Sequence, residues 1–114
     1  MRSLKLGAEI GFVVLAVFVA AGLAEAGNAK RPGKSLFETN CVLCHGDDGT
    51  GKTPSGTALG AHNLTSAEVS RKTDSELTQT ITQGQNKMPS FGKKLSEAEI
   101  HDLVGYIREL EKKH

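Results

Sequence analysis

The chain has few bulky aromatic side chains: its 114 residues include no tryptophan, one tyrosine and four phenylalanines. A domain this small buries a modest share of its surface, so its core is marginal unless something adds apolar bulk. The shortage therefore fits a small domain whose interior is completed by a large apolar group, although many small domains share it.

Cysteine is also scarce, and the net charge is small. The two cysteines lie within four residues of each other, where a disulfide would close almost no loop and stabilise little. The formal net charge is only +1, and no strongly basic stretch predicts a nucleic-acid surface. The charge balance therefore predicts no nucleic-acid partner. No alternating strand pattern and no internal repeat is visible, which favours an all-α fold.

The N-terminus has the pattern of a secretory signal peptide over residues 1–26. Basic residues precede an apolar run over residues 10–23, and Ala24-Glu25-Ala26 offers a small-x-small cleavage site. The run is shorter than the roughly 20 residues that a bilayer core requires. We predict export to the periplasm with cleavage near Ala26, and an uncleaved membrane tether is the alternative. Residues 27–114 then form a single domain.

The most specific motif is Cys41-Val42-Leu43-Cys44-His45, which matches the pentapeptide that attaches haem c. Two thiols on one helical turn can each add to a vinyl group of the same porphyrin. The next side chain then reaches the iron with an imidazole nitrogen. The motif predicts one covalent haem c per chain, attached through Cys41 and Cys44, with His45 as an axial ligand.

Other uses of a Cys-x-x-Cys pair explain less. A thioredoxin-like dithiol requires a surrounding β-α-β pattern, which the sequence lacks. Half of a zinc site requires further thiols or paired histidines, whereas His62, His101 and His114 are scattered. None of these alternatives accounts for His45 directly after the second cysteine.

Hydrophobic periodicity predicts three main helices. Their expected starts are Lys34 or Ser35, Thr73 and Ser96. Capping-box patterns mark the second and third helices, with Glu76 and Glu99 at the third helical position, and Gly84 ends the second. The glycine-rich stretch from Gly46 to Asn63 has no apolar period, and we expect it to be a long loop that wraps the haem.

Met88 is the candidate for the sixth iron ligand. It is the only methionine after the signal segment, and Pro89 restricts its backbone to extended conformations. An isolated methionine is otherwise a flexible core filler. Among the histidines, His62 is the rival ligand, while His101 borders the apolar stripe of the third helix and is expected to face solvent.

With these motifs the chain resembles the small class I c-type cytochromes of bacteria over residues 33–110. The resemblance rests on three motifs: Gly33-x-x-x-Phe37-x-x-x-Cys41-x-x-Cys44-His45-Gly46, Gly84-x-x-x-Met88-Pro89-x-Phe91, and Leu95-Ser96-x-x-Glu99-Ile100 running into Leu103-Val104-Gly105-Tyr106-Ile107. It implies a small cytochrome c fold, with three main helices plus loops wrapped around one covalently attached haem.

The resemblance also implies specific contacts. The first and last helices are expected to cross where Gly33 and Phe37 meet Leu103 and Tyr106. A proline carbonyl is expected to accept a hydrogen bond from the proximal imidazole, a role that Pro54 fits, and such a bond would orient the ligand.

The chain departs from the family's usual pattern at His62, and several lysines are candidate contacts of the haem propionates. His62 stands before Asn63-Leu64-Thr65, where it can touch a haem propionate or solvent. Candidate propionate partners, by charge alone, are Lys52, Lys72 and Lys87.

The resulting functional prediction is a periplasmic, monomeric electron carrier with His/Met ligation, not an enzyme. It would dock transiently with redox protein partners at the haem edge. Lys87, Lys93 and Lys94 would steer an acidic partner or would simply aid solubility. The alternatives are a haem subunit of a larger oxidoreductase, and an open-site sensor or enzyme if Met88 is not a ligand.

Overall fold

A computed structural model describes residues 31–114, which form an all-helical domain. The predicted signal peptide, its cleavage site and the first residues of the predicted domain lie outside the described residues. Within residues 31–114 there are six helices and no β-strand. The helices are α1 (Pro32–Asn40), α2 (Val42–His45), α3 (Pro54–Leu59), α4 (Ala67–Ser70), α5 (Asp74–Gln83) and α6 (Glu97–Glu111). None of those described is long and apolar enough to cross a membrane.

The three longest helices are the three that the sequence predicts. α5 and α6 begin with complete capping boxes: Thr73 and Ser96 each accept from the third helical N–H, and Glu76 and Glu99 each accept from the cap residue's N–H. α1 begins at Pro32, earlier than the predicted Lys34 or Ser35, because proline's fixed φ suits the first helical turn.

The prediction of one continuous loop from Gly46 to Asn63 is wrong in part. The stretch contains α3, whose N-cap Thr53 accepts a hydrogen bond from the N–H of Gly56. Pro54 stands at the first helical position, where its missing N–H costs nothing. α3 ends at Gly60, which adopts a left-handed conformation with φ of 71°.

The core forms where α1 crosses α6, as the family resemblance implies. Phe37 is only 1% exposed, and its ring centroid lies 5.2 Å from that of Tyr106. A Cβ added at Gly33 would overlap the backbone oxygen of Asp102 and lie 3.0 Å from the Cβ of Tyr106. The absence of a side chain at Gly33 therefore lets the two helices approach closely. The remaining core side chains come mainly from α5, α6 and the segment between them.

Candidate cofactor site

A cavity of about 300 Å³ opens between the core and the loops, and the residues predicted to attach the haem and to bind its iron lie on its wall. Its lining includes Cys41, Cys44, His45 and Met88. Other parts of the lining are apolar side chains of the core: Phe37, Leu77, Ile81, Leu103 and Ile107. Residues from distant parts of the sequence thus meet at one apolar chamber.

The turn of α2 places both thiols and the imidazole together. The N–H groups of Cys44 and His45 donate to the carbonyl of Cys41 at 3.2 and 2.9 Å, which winds the motif into a single helical turn. Gly46 then ends the turn with φ of 77°, a value that glycine adopts without strain.

α3 packs against the end of α2 and fixes its position. The Thr53 hydroxyl lies 2.8 Å from the carbonyl oxygen of Leu43 and 3.0 Å from that of Cys44, two acceptors that the short helix leaves free. A Cβ added at Gly56 would overlap the Cys44 carbonyl oxygen, so only glycine allows this approach. Thr53 is a supporting residue that the sequence reasoning missed, although Thr-Pro is a recognisable helix start.

The His45 imidazole makes the expected hydrogen bond to a backbone carbonyl, but the acceptor is not Pro54. The Nδ1 atom of His45 lies 3.0 Å from the backbone oxygen of His62. A carbonyl only accepts, so Nδ1 carries the proton and Nε2 keeps the lone pair that a metal requires. Pro54 is excluded from this role because it lies in the first turn of α3, where carbonyls point along the helix axis.

The environment of His45 also favours the neutral imidazole. Burial lowers the pKa of His45, although the hydrogen bond to the His62 carbonyl opposes the change. A neutral ring is the form that binds a metal. His45 is thus oriented and kept neutral by its surroundings.

The thiols do not have the character of a redox dithiol. Burial, followed by repulsion from Cys44, raises the pKa of Cys41 to about 11, although Lys94 acts in the opposite direction. Reactive Cys-x-x-Cys pairs instead have lowered thiol pKa values. Across residues 31–114, no three His, Cys, Asp or Glu side chains form a cluster suited to a metal ion, so a zinc site lacks the remaining ligands.

Met88 lies in a tight turn after α5, within a segment that we call the Met88 loop (residues 84–92). Gln85 and Met88 exchange two backbone hydrogen bonds, of 3.2 and 2.9 Å. The turn requires Asn86 to adopt φ of 53°, a region that asparagine tolerates better than most residues. Met88 is half-buried and packs against the core, so the turn holds its side chain at the cavity.

The other candidate histidines and lysines differ in whether they line the cavity. His101 is exposed on α6 and does not line the cavity, as predicted, and His114 is exposed at the end of the chain. His62 lines the cavity beside His45 and is itself exposed. Of the three lysines suggested for the propionates, Lys72 and Lys87 line the cavity and Lys52 does not.

The residues present fit haem c. The chamber offers apolar walls for the porphyrin, two thiols on one turn for its vinyl groups, a neutral imidazole with a free Nε2, and a thioether. In addition, the buried Oδ1 of Asn40, next to Cys41, has no hydrogen-bond partner among the protein atoms. A buried polar atom normally has a partner, so this wall of the chamber is incomplete without a further group or water.

Comparison with known proteins gives a consistent result. The profile of the family described as cytochrome c oxidase, cbb3-type, subunit III, matches residues 28–107. The chain is 34% identical over 84 residues to the cbb3-type cytochrome c oxidase subunit CcoP of Azospirillum brasilense, covering 72% of this chain and 28% of that subunit. It is 29% identical over 102 residues to cytochrome c6 of Picosynechococcus sp., covering 86% and 87% of the two chains.

A solved structure, the KustC0563 c-type cytochrome, has the same fold. It superimposes with a TM-score of 0.64 at 32% sequence identity, and the match covers 69% of this chain and 96% of that one. The match covers most of cytochrome c6 but little more than a quarter of CcoP. Fold, site chemistry and these similarities agree: the chain belongs to the cytochrome c family, as a class I monohaem c-type cytochrome with covalent haem c.

Proposed function

We propose that this chain is an exported, periplasmic electron carrier in which Cys41 and Cys44 hold the haem and His45 and Met88 bind its iron. One observation carries the proposal: the two thiols, the imidazole and the thioether all line a single apolar chamber. The hydrogen bond from His45 Nδ1 to His62 supports it, because it leaves Nε2 free for the metal.

The proposed ligand pair suits electron transfer. When bound, the haem supplies a one-electron ferrous/ferric couple. The thioether of Met88 favours the ferrous form and raises the potential relative to two histidines. The His62 carbonyl accepts the hydrogen bond from His45, so His62 lies on the same side of the chamber as His45. Met88 comes from a separate segment, which makes it the better candidate for the second ligand.

The surface beside the thiols suits a brief encounter with a partner. Leu43 is 77% exposed and Leu59 is 46% exposed, and both line the mouth of the chamber. Exposed apolar groups at a redox centre favour a small, short-lived interface. Lys87, Lys93 and Lys94 are exposed in and just beyond the Met88 loop, where they can steer an acidic partner.

A second candidate is that the chain acts as an electron-entry component of a larger oxidoreductase. The similarity to CcoP, a subunit of a cbb3-type oxidase, favours this function. Stable co-purification with a haem-containing complex would support it, whereas a protein that purifies alone and exchanges electrons with soluble partners would support the carrier.

The decisive experiment compares absorption spectra of the purified holoprotein and the Met88→Ala variant, oxidised and reduced. We expect a sulfur-to-iron charge-transfer band in the oxidised wild type and its loss in Met88→Ala. The matched control is His62→Ala, which removes the rival imidazole but keeps the backbone carbonyl, and should retain the band. A wild type without the band, whose reduced form binds carbon monoxide readily, would instead indicate an open iron site.

A further inference from the structure

The Met88 loop is bound to the end of α5 by the residues that follow the methionine. The last carbonyls of a helix have no partner within it. Here the N–H of Phe91 donates to Ile81 and the N–H of Gly92 donates to Thr82, both at 3.0 Å. The free end of α5 therefore captures the returning chain and fixes where the loop ends.

Ser90 adds a side-chain bond to this attachment. Its hydroxyl donates to the Thr82 carbonyl at 2.6 Å, so that carbonyl accepts from both Ser90 and Gly92. The approach is close, because a Cβ added at Gly92 would lie 2.9 Å from the Thr82 oxygen. The Ser90 hydroxyl thus reinforces the point at which the loop meets the helix.

Only Pro89 separates Ser90 from Met88. The proline ring fixes φ and stiffens the link between the two residues. On the other side of Met88, the paired hydrogen bonds with Gln85 close the turn. Met88 is consequently held from both directions, by the turn before it and by the Ser90 anchor after it.

We propose that Ser90 is a positioning residue for Met88: its bond to the Thr82 carbonyl keeps the loop closed and the thioether directed at the iron. This inference rests on the proposed function, in which Met88 is an iron ligand. Without the hydroxyl, the loop opens more easily and an outside ligand replaces Met88 more readily. One neutral hydrogen bond shifts such an equilibrium by about fivefold.

The test titrates the ferric holoprotein with imidazole and follows loss of the sulfur-to-iron band. We expect Ser90→Ala to bind imidazole about fivefold more tightly than the wild type, and Ser90→Thr, which keeps a hydroxyl, to stay close to the wild type. The control is Ser70→Ala, which also removes a hydroxyl bonded to a backbone carbonyl, that of Ala67 in α4. Ser70→Ala should leave imidazole affinity unchanged.

Denaturant unfolding of each holoprotein separates positioning from general stability. A larger change in imidazole affinity for Ser90→Ala than for Ser70→Ala, at similar loss of unfolding stability, supports the proposal. Equal imidazole affinity in Ser90→Ala and the wild type overturns it, while leaving Met88 ligation intact. A wild type without the sulfur-to-iron band overturns both this inference and the proposed ligation.

Discussion

Gly33 shows how much one missing side chain contributes at the residue scale. The residue is buried where α1 crosses α6, and any Cβ there would overlap the backbone of Asp102. Backbone is harder to displace than the end of a flexible side chain, so the helices would have to separate. The same separation would disturb Phe37 and Tyr106, which form the neighbouring contact.

We therefore expect Gly33→Ala to lower the free energy of unfolding of the holoprotein by about 1–3 kcal/mol, the usual cost of overpacking a core. Denaturant unfolding followed by circular dichroism measures it. Gly105→Ala is the matched control, because a Cβ at Gly105, in the partner helix α6, meets nothing within 4 Å. Equal stability of Gly33→Ala and Gly105→Ala would contradict the close helix approach.

The side chains that the sequence assigns to the haem line one chamber, whereas the sequence did not indicate the backbone contacts around them. Cys41, Cys44 and His45 lie close together in the sequence, so their local spacing identifies them. Met88 was identified because it is the only methionine after the predicted signal segment and because Pro89 follows it. The partner of His45 could not be found in this way. It is a backbone oxygen, supplied by His62 through the fold of the intervening chain, and any residue type can supply a carbonyl.

At the scale of elements, the helices with complete capping boxes were the most predictable. In α5 and α6 the local signals and the tertiary packing agree, so the sequence pattern and the structure coincide. α3 was missed because its proline and glycine are typical of loops, and it is stabilised by bonds from Thr53 to α2 rather than by an apolar periodicity.

The α5 capping box predicts a specific pH dependence. Hydrogen bonds from Thr73 hold the pKa of Glu76 below its ordinary value of 4.5. A carboxyl group whose pKa is lower in the folded state stabilises that state above its unfolded pKa, and the stabilisation is lost as pH falls through the folded pKa. Stability should therefore decline below about pH 4.5 partly through Glu76.

We expect Glu76→Gln to flatten this part of the stability-versus-pH curve, because glutamine does not titrate. Denaturant midpoints of the holoprotein between pH 3 and 7, which span the carboxyl range, measure the slope. Glu97→Gln, at the first position of α6 and outside both capping boxes, is the control. If the two variants change the slope equally, the α5 capping box is not the source.

At the scale of the whole molecule, the cofactor is part of the core. Phe37, Leu77, Ile81, Leu103 and Ile107 belong both to the core and to the wall of the chamber. An apolar group bound there would remove more apolar surface from water, which is the dominant favourable term in folding. The scarcity of bulky aromatic residues is consistent with such a group.

We predict that the Cys41→Ser/Cys44→Ser chain, produced without covalent haem, is not stably folded. Its far-ultraviolet circular dichroism should show reduced helix and no cooperative thermal transition, whereas the holoprotein should melt cooperatively. The Cys44→Ser single variant, which retains one thiol for attachment, should be intermediate. A cooperative melt of the double variant near that of the holoprotein would show that the haem is not needed to complete the core.

The crossing of α1 and α6 has a further consequence for how the protein is made. The helix that leads into both thiols is at the start of the domain, and the helix that covers the core is at its end. In the proposed export, the cysteines near the start of the domain reach the periplasm before the last helix arrives to close over them. The order of export thus provides an interval in which haem can be joined to an open chain, before the folded chamber restricts access and raises the pKa of the Cys41 thiol.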